Sequence, residues 1–120
     1  MAKIVKKRFD APDETRPVAK GKVEVLDLGD VQVMRTTFEP GWRWSESVKP
    51  IVGTDSCQVL HLTYVISGRM AVRMDDGSEV EFGPGDVGVV PPGHDAWVVG
   101  SEPLVGIDFR GGAIYAKPPG

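Results

Sequence analysis

The stretch GPGDVGVVPPGHDAW, residues 83–97, limits what this chain can fold into more than any other. Gly83-Pro84-Gly85 ends any regular element, because glycine tolerates positive φ and proline lacks an N–H. Asp86 can hydrogen-bond the local backbone as a turn residue. Pro91-Pro92-Gly93 breaks the chain again. Between the breaks, Val87-Gly88-Val89-Val90 has room for a strand of four residues. His94-Asp95-Ala96-Trp97 then opens the next strand. A titratable group at the end of a short buried strand is where a β-barrel would hold a site, and His94 is one of two histidines in the chain.

The same punctuation runs through the rest of the sequence. Its 15 Gly and 10 Pro exceed the about 8 and 6 expected for this length, and they fall between apolar runs. Residues 4–9 suit a short edge strand, and 10–21 read as a polar arm. Strands are expected at 22–28 and 31–38, joined by the hairpin signal Gly29-Asp30. Trp42 and Trp44, at i and i+2, point to one side of an extended segment. Residues 45–55 form a long loop, of the kind that is more often functional than a chance connection. Residues 56–66 are the longest apolar run, with His61 in phase with Val59, Thr63 and Val65. Further strands follow at 69–74, 79–82, 87–90, 94–99 and 104–110. Ile114-Tyr115 reads as a short addition, and the tail 117–120 lies outside the core. No window carries sustained helical spacing. Roughly ten short strands with Gly, Pro and Asp turns indicate an all-β sandwich or barrel. One domain is expected over 1–120, with a core at about 22–115 and residues 1–21 as strand and arm.

Composition excludes several function classes. Net charge is −3, so no basic footprint suggests nucleic acid. The basic cluster at Lys3–Arg8 reads as a solvated edge. No run of 18 apolar residues suggests a membrane span, and the N-terminus lacks the apolar region of a signal peptide. Cys57, the single cysteine, cannot form an internal disulfide. A cytoplasmic protein is the expectation.

The order of these signals resembles the cupin family, whose fold is a double-stranded β-helix barrel, or jelly roll. Gly85, Pro91 and Gly93 stand as in the family's second motif, G-x5-P-x-G-x2-H-x3-N. Gly68 matches the closing glycine of the first motif, G-x5-H-x-H-x3,4-E-x6-G. The resemblance covers roughly residues 38 to 110 and implies a small barrel that pairs as a homodimer. The implied ligand positions depart from the pattern. His61 stands where the family has Glu, and Cys57 and Asp55 stand where it has His. The second-motif His falls at Ala96 and the Asn at Gly100, while His94 comes two residues early.

Two functions follow. The first is a small-molecule-binding barrel with a pocket formed by His61, His94, Met34 and the three tryptophans, Trp42, Trp44 and Trp97, as an aromatic mouth. Glu46 and Lys49, in the long loop, would orient the small organic ligand. The second is a metal-dependent enzyme of dioxygenase or isomerase type, with a divalent ion (Zn, Fe, Mn or Ni) on His61, Cys57 and His94. Thiolate and imidazole are suitable ligands. Four residues of straight strand span about 13 Å, so Cys57 and His61 can share an ion only if the chain bends between them. Residues 58–60, Gln-Val-Leu, mark no bend. Otherwise His61 is a hydrogen-bonded polar group inside the barrel and Cys57 a small buried hydrophobe.

Overall fold

Short antiparallel strands dominate the computed structural model, which describes residues 3–118. Among these residues there are nine: β1 (Glu14–Val18), β2 (Gly21–Asp27), β3 (Gln32–Phe38), β4 (His61–Ser67), β5 (Arg69–Met74), β6 (Glu79–Phe82), β7 (Val87–Val90), β8 (His94–Val99) and β9 (Leu104–Asp108). One sheet runs β1-β2-β3-β9-β4-β7 and the other β6-β5-β8. The protein is an all-β jelly roll, as the turn spacing predicts.

Period-2 alternation decides what faces inward. Met34, Thr36 and Phe38 of β3 are buried, as are His61, Thr63 and Val65 of β4. Ala96 and Val98 of β8 and Leu104 of β9 complete the same interior. Fully burying one such aliphatic side chain contributes roughly 1.5–3 kcal/mol. The alternation also admits polar residues to the inside wherever they stand in phase.

Glycine is required where strands change direction. Gly68 has φ +76°, and a Cβ there would run into the Pro103 carbonyl. Gly93 has φ +95° and lies against Asp75, so the chain turns sharply into β8 immediately before His94.

β8 pairs with β5 along one edge. Its other edge carries two single bridges, Arg43 to Trp97 and Cys57 to His94. The Cys57 N–H donates to the His94 carbonyl at 2.7 Å, and the Gly93 N–H donates to the Cys57 carbonyl at 2.7 Å. The segment between β3 and β4 therefore seals this edge and ties the two sheets together.

Four local expectations are corrected. Residues 4–9 form no strand, and Ile4 and Val5 stand exposed with no partner strand beside them. The edge strand is instead β1, inside the expected arm, with the buried Arg16 donating to the Tyr115 carbonyl at 2.7 Å and to Glu14. The loop 45–55 contains two single-turn helices, α1 (Trp44–Ser47) and α2 (Lys49–Val52), too short to leave a periodic signal. Ile114-Tyr115 is a turn closed by the Tyr115 N–H on the Gly111 carbonyl at 3.0 Å. Of the tail, Lys117 and Pro118 are exposed and residues 119–120 lie outside the described residues.

Candidate metal centre

Cys57, His61 and His94 converge where the two sheets meet. Their ligating atoms all lie within 4.8 Å of one another, and all three residues are buried. The Cys57–His94 bridge sets the sulfur beside β8. From there residues 58–60 turn out of β-pairing before β4 begins at His61. That bend, unmarked by Gly or Pro, brings Cys57 Sγ to 3.7 Å from His61 Nε2. Ligands of one tetrahedral ion stand about 3.3–3.8 Å apart, given metal–ligand bonds of about 2.0–2.3 Å.

Each imidazole has its Nδ1 set towards a protein oxygen. His94 Nδ1 sits 2.7 Å from the Pro91 carbonyl, which can only accept. Nδ1 therefore carries a proton, which leaves Nε2 as the ring atom that could ligate. His61 Nδ1 lies 3.3 Å from Asp108 Oδ2, a close charge contact without a well-aligned hydrogen bond. The Thr63 hydroxyl donates to the other Asp108 oxygen. A carboxylate or carbonyl behind each ligating histidine is the usual support of a metal site.

The electrostatics agree. Burial pushes the Cys57 thiol up, but hydrogen bonds and charge from His61 and His94 outweigh it and bring its pKa from 9.0 to about 6. Burial likewise pushes His61 down, but Asp108 and Cys57 outweigh it and raise its pKa from 6.5 to about 10. The metal-free pair is thus a thiolate facing an imidazolium near neutral pH. A metal held by His61 Nε2 would have to displace that proton. Tyr115 packs its ring on His61 at 5.0 Å, edge to face. Burial, then the charges of Cys57 and Asp108, hold the Tyr115 phenol well above its ordinary 10.0, so it stays neutral.

His61 and His94 form part of the wall of an interior cavity of about 40 Å³. Thr36, Thr63 and Asp108 give it a polar side, and Phe38, Trp42 and Trp44 an aromatic one. Cys57 lies behind, on a second pocket of about 150 Å³ that shares Trp44 and Tyr115 with the first.

Several expected site residues lie elsewhere. Trp97 points outward from β8 beneath the Arg43 guanidinium, 4.4 Å from its ring, so the three tryptophans do not rim one mouth. Met34 is wholly buried in the core but does not reach the cavity. Glu46 is exposed beside Arg43, and Lys49 pairs with a fully exposed Asp55. None of these four charged or polar loop groups faces the site, and Asp55 is no ligand. Asp108 and Tyr115 join the site without having been expected there. Asp108 had a signal: it stands in phase with the inward Leu104 and Gly106. Tyr115 had none, since a turn held from β1 brings it inward.

The fold and part of the sequence are similar to those of cupins. The EutQ-like cupin domain pattern matches residues 54–104. A protein of unknown function from Rhizobium leguminosarum superposes with a TM-score of 0.66 at 20% identity, covering 91% of this chain and 97% of that one. A cupin-like protein from Thermotoga maritima gives 0.54 at 22%, covering 75% and 67%. Oxalate decarboxylase from Bacillus subtilis gives 0.57 at 27%, covering 86% of this chain but only 28% of its own length. No curated protein matches the chain in sequence. None of the described helices is long and apolar enough to cross a membrane.

Proposed function

We propose that this cupin-like barrel is a metal-dependent protein acting on a small molecule, with a divalent ion on Cys57, His61 and His94. The observation that carries the reading is the convergence of one buried sulfur and two imidazoles, with each imidazole Nδ1 set against a fixed acceptor. A thiolate with two imidazoles suits Zn²⁺ better than Mn²⁺, which prefers oxygen ligands. When bound, such an ion supplies Lewis acidity at a position open to the cavity. The chain's own residues do the rest. Asp108 and Pro91 hold the Nδ1 protons, Thr63 orients Asp108, and the neutral Tyr115 with Trp44 keeps bulk water from the histidines. The buried free thiol fits a reducing, cytoplasmic setting.

The test is elemental analysis of protein purified without added metal or chelator, and again after dialysis against zinc. About one ion per chain is expected, as for a single three-ligand site, and His61→Ala should abolish it. A folded protein that takes up no metal under either condition overturns the reading and leaves a metal-free binding barrel.

We also propose that two copies pair through the outer face of the larger sheet. Tyr64, Ile66, Val87 and Val89 stand there exposed, with Val87 and Val89 each at 65%. Apolar rows of this kind mark interaction surfaces. Sedimentation should show a dimer that Val89→Asp dissociates; a wild-type monomer at all concentrations overturns it.

A further inference from the structure

The cavity wall carries two hydrogen-bond donors with nothing to bond. Trp42 and Trp44 are each 98% buried, both line the interior cavity, and among the described residues neither indole Nε1 has an acceptor. Leaving a buried donor unpaired costs about 1–3 kcal/mol. Two such groups on one small cavity are best explained by what the cavity holds. Several of the other polar groups there are already committed, while the Thr36 and Tyr115 hydroxyls can each donate or accept. One Asp108 oxygen accepts from Thr63 and the other faces His61. Nδ1 of His94 is taken by Pro91. No lysine or arginine lines the space. The two indoles can only donate, so what they lack is an acceptor, and they share the cavity wall with His61 and His94.

We infer that Trp42 and Trp44 form an acceptor subsite that holds the oxygens of a small carboxylate against the histidine side of the cavity. This deepens the metal reading, on which it rests for the balance of charge. Asp108 lines the cavity and no lysine or arginine does, so a dication would supply the positive charge that an anion needs there. Size narrows the class. The volume of about 40 Å³ holds about three waters at roughly 10–15 Å³ each, which matches formate or acetate and excludes an aromatic acid. Phe38, stacked on Trp42 with ring centroids 3.9 Å apart, holds that indole in place.

The experiment follows the three indole N–H resonances of ¹⁵N-labelled protein during titration with formate and acetate, with zinc and without it. Trp→Phe variants assign the signals, and zinc content is measured on each sample. The expected result is saturable movement of the Trp42 and Trp44 signals in zinc-loaded protein while Trp97, on the outer face, stays still. Trp42→Phe and Trp44→Phe, which keep the ring and lose the donor, should each weaken acetate binding about ten-fold or more, with zinc uptake unchanged. If zinc binds and neither indole responds, the subsite is overturned and the metal reading stands. If the indoles respond in protein that takes no zinc, the subsite stands and the metal reading falls. Equal movement with methylammonium, which offers only donors, also overturns the subsite.

Discussion

The two motif regions of this barrel depart from the family pattern in opposite ways. The second, residues 83–99, keeps the backbone signature and moves the donor. Gly85, Pro91 and Gly93 are in place, but the ligand position is Ala96 and the histidine stands two residues earlier. The first, residues 54–68, keeps its closing Gly68 and changes the donors, with Cys57 and His61 where His and Glu are expected. Backbone geometry and ligand identity are thus separable. The shift in the second region is tolerated because β8 alternates: His94 and Ala96 share the inward face. The change in the first is tolerated because the Cys57–His94 bridge, not a turn residue, sets the bend before His61.

The largest effect expected from breaking this arrangement is in His94→Ala. It removes the second region's only donor and should lower zinc affinity by more than about 100-fold, as read by competition with a chromophoric chelator. Retained affinity would mean that the first region holds the ion alone. Asp108→Asn leaves every donor in place and frees the His61 Nδ1 side, so a loss of about 10–100-fold is expected in the same assay.

Proton linkage sharpens the first region. The Cys57 pKa is lowered to about 6, so the metal-free protein should show thiolate ultraviolet absorbance at neutral pH, lost as pH falls through that value. The sign follows from the shift. A depressed pKa adds stability above the unfolded value of 9.0, and that contribution disappears as pH falls through about 6. The raised His61 pKa works oppositely: its contribution is complete below 6.5 and disappears as pH rises through about 10. His61→Ala removes the partner and should return the thiol towards its ordinary range; an unchanged absorbance profile would break the pairing. The smallest effect is expected on the outer face. Arg43→Ala loses the stacking on Trp97 and an ion pair to Asp95 at 3.5 Å. It should cost about 0.5–1 kcal/mol in urea unfolding, with zinc affinity unchanged.

Most of the fold was legible because strand and turn signals are local. Gly29-Asp30 and Asp75-Asp76-Gly77 mark turns that the structure contains, and β3 to β9 fall close to the apolar runs. The misplaced edge strand shows the limit. Nothing between Glu14 and Val18 marks a strand until β2 is present to pair with it and the Tyr115 carbonyl is present to accept from Arg16.

The site divides the same way. Cys57, His61 and His94 were visible as donors by residue type, while whether His94 turned inward or to solvent stayed open until β8 placed it on one face with Ala96. Their meeting was not visible, because it depends on a bridge between residues 37 positions apart and on a bend in Gln58-Val59-Leu60. Residue chemistry therefore determined which groups could serve as donors, and period-2 alternation put His61 in phase with Thr63 and Val65. Only tertiary structure decided that Trp97, Glu46 and Asp55 stay outside and that Asp108 and Tyr115 join the histidines, since those contacts are made by elements remote in sequence.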